Sequence, residues 1–263
     1  MNRIITLTTD FGTRDGFVGT MKGVILGINP DATIVDITHE IAPQDVEQGA
    51  FLFAASAKYF PANTIHVVVV DPGVGSARRA IAIQVGETIF VAPDNGVLTK
   101  EIERLRDKEI RAVQLSNTKF FLPHVSNTFH GRDIFAPCAA HLSLGTPLEE
   151  MGEPITDWVT LPHVLPMQRG DGAWVGRVVH IDRYGNVVTN IAAEMLRDAD
   201  PARVVVEIAG KKISGLKRTY ADGEEGELIA LISSSWELEI AQRNGDAAKT
   251  LGILNGAEVV VWG

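Results

Sequence analysis

One cysteine, Cys138, stands among 263 residues, which excludes a disulfide framework and any cysteine-based zinc site. Positive charge is also scarce. The 24 Lys and Arg against 33 Asp and Glu leave a net charge of −9, the reverse of the clustered basic face that nucleic acid requires. The pair Arg78-Arg79 is too short to overturn that balance. No run approaches the roughly 18 consecutive apolar residues of a membrane span. The opening MNRIITLTTDFG carries an acid and a glycine within its first 12 residues, unlike a signal or transit peptide. No repeat and no low-complexity segment is present. These absences leave the expectation of a soluble, cytoplasmic globular protein with neither a nucleic-acid nor a membrane partner. With 45% apolar residues, a chain of this length can bury a sizeable core, in one large domain or two smaller ones.

What is there alternates short β-rich runs with helical stretches. Ile4–Thr9 reads as a strand ending in Asp10-Phe11-Gly12, and Phe17–Ile28 carries its apolar residues at helical spacing. Thr33–Thr38 is a second strand, Asp45–Tyr59 a second helix, and Ile65–Val70 a nearly all-apolar run suited to a strand buried on both faces. Ala80–Val85, Thr88–Ala92 and Arg111–Leu115 are further strands. Helices are expected from Asn95-Gly96 through Leu105 and from Gly131 to Leu144, the latter with Pro137 as a kink. The alternation predicts an α/β domain with a largely parallel central sheet over 1–165. After Gly145, a proline-bearing stretch without periodicity reads as a linker ending at Gly170-Asp171-Gly172. Beyond it, Trp174–Ile181, Val187–Ile191, Val204–Ile208, Glu227–Ser233, Leu238–Ala241 and Val259–Trp262 are short β-like runs. They predict a smaller C-terminal β-barrel domain over 166–263.

Ligands of open parallel sheets bind beyond the carboxyl ends of the strands, and three predicted strands run into acids there: Asp10, Asp71 and Asp94. Any one of them is equally well ordinary turn chemistry; three together favour a site. Asp71-Pro72-Gly73-Val74-Gly75-Ser76-Ala77-Arg78-Arg79 is neither a dinucleotide fingerprint nor a P-loop, because its glycine pattern is incomplete and a strand follows. His130 and Asp133 are spaced to share a helical face as metal ligands. A helix start with Asp133 near the positive end of the dipole is the preferred reading, because no further ligand completes a set. The other histidines (His39, His66, His124, His141, His163 and His180) are scattered and read as structural or solvent-facing. Asp182-Arg183-Tyr184-Gly185-Asn186 is either a plain hairpin turn or a polar-aromatic binding turn, and Tyr220 and Ser233–Glu237 add an aromatic and hydroxyls.

Five motifs carry a resemblance. TTDFG (8–12), VDPGVGSARR (70–79), PDNG (93–96), TFHGRD (128–133) and DRYGNVVTNI (182–191) are similar, in order, to those of the S-adenosyl-L-methionine hydroxide adenosyltransferases. These are relatives of the fluorinating and chlorinating enzymes that attack the same molecule. YADGEEGELIALI (220–232) and LEIA (238–241) extend the likeness over nearly the whole chain. It implies an N-terminal α/β domain joined to a C-terminal β-barrel, in a homotrimer whose active sites lie between subunits. It further implies a metal-independent hydrolase that converts S-adenosyl-L-methionine to adenosine and L-methionine by nucleophilic substitution at ribose C5′. The molecule serves as substrate, with no cofactor.

By the same resemblance, Asp71, Arg78 and His130 form the catalytic set that positions water. Asp10 grips the ribose hydroxyls, and Asn186 meets an adenine edge. Tyr184 and Tyr220 stack on the ring, while Asp182 and Ser235 lie at the methionine end. The halogenating relatives lack an acid at the position of Asp71, and the fluorinating ones carry Ser at that of Gly131; a carboxylate at 71 repels a halide. Ser234-Ser235-Trp236-Glu237 and Gln242-Arg243-Asn244-Gly245 depart from the family pattern. Three alternatives remain at this level: an adenosyl chloride synthase, a non-catalytic S-adenosyl-L-methionine or adenosine binder, and a divalent-metal hydrolase built on Asp10, Asp71, Asp94 and His130.

Overall fold

The computed structural model describes residues 3–162 and 166–263. The chain divides after Leu161 into two compact units. The boundary expected after residue 165 falls against residues 163–165, so it lies outside the described residues, as does His163. Among the described residues no helix is long and apolar enough to cross a membrane.

The N-terminal unit contains β1 (Ile4–Thr9), α1 (Phe17–Ile28), β2 (Thr33–Thr38), α2 (Val46–Ala57), β3 (Ile65–Val69), β4 (Ala80–Val85), β5 (Thr88–Pro93), α3 (Thr99–Arg104), β6 (Ile110–Gln114) and α4 (Ala136–Ser143). Its sheet runs in the order β2-β1-β3-β5-β4-β6. The first four strands are mutually parallel, and β4 alone opposes both of its neighbours. The sheet is covered on both sides, which is why β3 is buried throughout and apolar except for His66. On one face Ile5, Leu7, Val67 and Val69 meet Met21 and Ile25 of α1 and Ala139 and Leu142 of α4. On the other, Val68, Ile83 and Phe90 meet Phe53 of α2 and Ile102 of α3.

Two expected features take a different form here. Gly131–Phe135 is a π-helical turn, in which the Ala136 N–H reaches back to the Gly131 carbonyl. Pro137 then sits in the first turn of α4, directly after the π-helical turn, where its missing N–H is tolerated. The stretch read as a linker is packed structure up to Leu161. Met151 is fully buried, Pro154 bridges to Val113, and the Ile155 N–H donates to the Ala112 carbonyl at 2.9 Å.

The C-terminal unit contains β7 (Met167–Gln168), β8 (Trp174–Ile181), β9 (Val187–Ala192), β10 (Val205–Ile208), β11 (Lys211–Ser214), β12 (Leu216–Lys217), β13 (Leu228–Ile232), β14 (Glu237–Gln242), α5 (Ala247–Leu251) and β15 (Glu258–Trp262). The ribbon runs β11-β10-β15-β8-β9-β14-β13-β12 with β7 laid against β8. β11 approaches β13, so the ribbon nearly closes into the expected barrel around Val178, Val187, Ile191, Val206, Ile240, Val259 and Val261. β8 passes close to β9 at Gly176, where a Cβ would lie 2.5 Å from Asn190 Oδ1.

Candidate active site

From β1 the chain moves outward to β2 and then returns to β3 on β1's other side. This reversal leaves a crevice beyond the carboxyl ends of β1 and β3. Asp10 and Asp71 lie there, in a cleft of ≈300 Å³ shared with Phe11, Phe17, Gln44, Phe129, His130 and Gly131. The third acid of the expected edge, Asp94, does not line it. Its carboxylate accepts Arg79 Nε at 2.8 Å and the Val159 N–H at 2.7 Å, which ties the 157–161 segment down. Two carboxylates, not three, face the cleft.

The Asp71–Arg79 loop is shaped to return Arg78 onto Asp71. Arg78 Nε donates to Asp71 Oδ1 at 2.9 Å and Nη2 donates to Oδ2, a bidentate pair with little exposure on either side. The same Nη2 lies 2.9 Å from His130 Nδ1. Guanidinium has no acceptor, so Nδ1 must accept and the ring is neutral. Burial pushes the His130 imidazolium below its ordinary range. The Arg78 charge adds to this, while Asp71 and a hydrogen bond with the Ser126 backbone oppose it. Arg78 also lies over the Phe135 ring. Gly75 makes the close approach of the two loops: it is left-handed at φ +76°, and a Cβ there would stand 2.3 Å from the Asn127 carbonyl oxygen.

Asp133 does not join His130 as a ligand pair. It is fully buried and accepts the Ser126 N–H at 2.8 Å, the Ser126 hydroxyl at 2.7 Å and Arg132 Nε at 2.6 Å. Burial alone would raise its carboxyl, but these donors hold it below the ordinary value. Among the described residues no group of three His, Cys, Asp or Glu side chains is placed to hold a metal ion. Asp10 Oδ2 accepts the Gln44 N–H at 2.7 Å, leaving Oδ1 for a ligand. Gln44 holds that N–H by adopting φ 66°. It escapes a reading of motifs because it acts through its backbone, and Pro43 beside it is the one local hint of a fixed turn.

In the C-terminal unit a second cleft, of ≈700 Å³, is lined by Asp182, Tyr184, Asn186, Tyr220, Gln242, Asn244, Gly245 and Asp246. The β8–β9 connection is both a hairpin turn and a wall of this cleft. Asp182 Oδ1 accepts the N–H groups of Tyr184 and Asn186 at 2.8 and 2.9 Å, and its Oδ2 accepts Asn186 Nδ2 at 2.9 Å. That last bond leaves the Asn186 amide oxygen available. Tyr220 donates to Glu239 Oε1 at 2.7 Å. Burial, and then this bond, push the phenol above its ordinary range. Burial also raises Glu239, against the hydrogen bond from Tyr220. Glu239 went unread, although an acid inside the apolar run Leu238–Ala241 was a visible signal. Ser235 is not among the residues lining this cleft. It sits in the turn between β13 and β14 with its hydroxyl 2.8 Å from that of Ser233, beside an exposed, left-handed Trp236.

Residues 5–152 match the family model of the SAM hydroxide adenosyltransferase N-terminal domain, and residues 176–260 match that of the C-terminal domain. An (R)-S-adenosyl-L-methionine hydrolase from Salinispora tropica is 40% identical over 255 residues, which is 96% of this chain and 95% of the relative. A fluorinase from Actinoplanes sp. is 30% identical, covering 99% of this chain and 97% of its own. The crystal structure of an uncharacterized conserved protein from Thermotoga maritima superposes with a TM-score of 0.91 at 38% identity, over 98% of this chain and 99% of that one. Matched in both units and to relatives along nearly its whole length, this chain belongs to the SAM hydroxide adenosyltransferase family.

Proposed function

We propose that the protein hydrolyses S-adenosyl-L-methionine to adenosine and L-methionine. The observation that carries this reading is the Asp71-Arg78-His130 constellation, one guanidinium bridging a carboxylate and a neutral imidazole in a cleft that also holds Asp10. Water attacks C5′ in line with the C5′–S bond, whose electron pair leaves on sulfur. The sulfonium cation thereby becomes a neutral thioether, and the proton lost by water passes to solvent. The leaving group needs no added charge, so no metal is required. What the protein must chiefly supply is a positioned water.

Each oxygen of Asp71 retains a lone pair beyond its bond to Arg78 and can hold the water there. Arg78 and His130 keep the carboxylate fixed and favour hydroxide character. In this reading Asp10 takes the ribose hydroxyls, Asn186 the adenine edge, and Tyr184 and Tyr220 the ring faces. Asp182 and Ser235 take the methionine end. Two carboxylates facing the reaction cleft oppose entry of a halide, and a binder alone would have no use for the Asp71-Arg78-His130 set. We infer from the resemblance that the protein is a cytoplasmic homotrimer, in which one subunit's N-terminal cleft and a neighbour's C-terminal cleft serve one substrate.

The test is product analysis after incubation with S-adenosyl-L-methionine in chloride-free buffer containing chelator. Adenosine and L-methionine formed in equal amounts are expected. Turnover that appears only on adding chloride, with 5′-chloro-5′-deoxyadenosine as product, or only on adding Mg²⁺ or Mn²⁺, would overturn the reading.

A further inference from the structure

Around the C-terminal cleft, Arg243 and a buried acid, Glu239, hold one short turn and its aromatic ring. Tyr220 lies in a single 3₁₀ turn, Tyr220–Asp222, that is exposed to solvent. A ring on so short a turn would ordinarily sample several rotamers, and a ligand stacking on it would have to bear the cost of ordering it. Here the turn is held from three directions. Thr219 and Asp222 form a capping box, with Asp222 Oδ2 accepting the N–H groups of Arg218 and Thr219, both at 3.0 Å. Arg243 donates through Nη1 to the carbonyls of Gly223 at 2.6 Å and Ala221 at 3.3 Å. The ring itself is tethered at its far end by the hydroxyl bond to Glu239. Glu239 is 5% exposed on β14, between the barrel strands β9 and β13, so the tether is anchored in a buried strand paired on both sides.

We propose that Glu239 and Arg243 are positioning residues that pre-set the Tyr220 ring as a wall of the cleft, and that their effect is on adenosine affinity rather than on the chemical step. The proposal rests on the reading of Tyr220 as an adenine-stacking residue. The Arg243 guanidinium holds the backbone of the turn through the Ala221 and Gly223 carbonyls, while Glu239 holds the ring hydroxyl.

The test compares Tyr220→Phe, Glu239→Leu, Glu239→Gln, Arg243→Ala and the double variant Tyr220→Phe/Glu239→Leu, each confirmed folded by its thermal transition. Steady-state kinetics with S-adenosyl-L-methionine and calorimetric titration with adenosine are the two readouts. Tyr220→Phe keeps the ring and removes only the tether, so KM and the adenosine Kd are expected to rise together by about tenfold with kcat within about twofold. Glu239→Leu should match it, and the double variant should be no worse than either single change, because one bond is lost in all three. Glu239→Gln retains an acceptor oxygen and should recover most of the affinity. Arg243→Ala should move both constants in the same direction.

Adenosine binding in folded Tyr220→Phe within about twofold of wild type, a fall in kcat at constant KM, or effects that simply add in the double variant would each overturn the positioning role. Failure of the underlying reading is distinguishable. A wild type that forms no adenosine from S-adenosyl-L-methionine removes the hydrolase, whereas one that forms it while Tyr220→Phe binds adenosine normally removes only the tether.

Discussion

At the scale of single residues, the site rests on who donates to whom. Arg78 has donors only, and it spends Nε and Nη2 on Asp71 and shares Nη2 with His130. That arrangement makes His130 an acceptor, and burial reinforces its neutral form. Asp71→Asn preserves size but replaces one acceptor oxygen with a donor facing the guanidinium, so the pair cannot form as it stands. The expected outcome is a loss of about a hundredfold or more in kcat, the scale of a misplaced reacting group, with the Kd for S-adenosyl-L-methionine changed little. Single-turnover rates beside a binding titration check it; a variant that binds weakly but turns over at the wild-type rate would make Asp71 a binding residue. His130 and Arg78 were legible as candidates from their motifs, but the direction of the bond between them was not. Direction depends on a tautomer that only the three-dimensional neighbourhood selects.

At the scale of elements, β3 shows how burial ties sequence to pH. Its His66 is enclosed by Phe53, Phe60 and Phe90 and bonded through Nδ1 to the Thr6 hydroxyl at 2.7 Å. Burial lowers its pKa from 6.5 to about 4. Below pH 6.5 the unfolded chain binds a proton that the native state refuses, so this stability is fully present above pH 6.5 and is lost as pH falls towards 4. About 3 kcal/mol is at stake. Denaturant unfolding at pH 7 and pH 4.5 should show the loss in wild type and a flatter dependence in His66→Leu; equal slopes would assign the acid sensitivity elsewhere. The same strand was the easiest to read, because an apolar run broken only by His66 and ended by Asp71 has few alternatives. The segment through Leu161 was misread for the opposite reason. It is held by single bonds to distant partners, such as the Leu161 N–H to Thr99 Oγ1 at 2.9 Å, and such bonds leave no periodicity. β11, β12 and α5 were missed because each is only two to five residues long.

At the scale of the whole molecule, the candidate site residues are divided between two units of the chain. Asp10, Asp71, Arg78 and His130 belong to the first; Asp182, Tyr184, Asn186, Tyr220 and Ser235 belong to the second. A closed cyclic assembly would let one subunit's first unit meet a neighbour's second, and this makes a prediction that no single-chain site shares. Asp71→Asn disables the first unit's contribution and Asn186→Ala weakens the second's, so at substrate well below KM the first protein alone should be nearly inactive and the second reduced about tenfold. Co-expressed under separate affinity tags and purified for both, they should form hybrids in which some sites combine the intact first unit of one chain with the intact second unit of the other. In a cyclic trimer that carries both chains, one of the three sites regains both halves, so adenosine formation should recover to about a third of the wild-type level. If every site were built from a single chain, each would still carry one of the two defects, and activity would stay at the level of the separate variants. Mass measurement on the same hybrids must then return three chains per particle, because a dimer with restored activity would keep the shared site and refute the trimer.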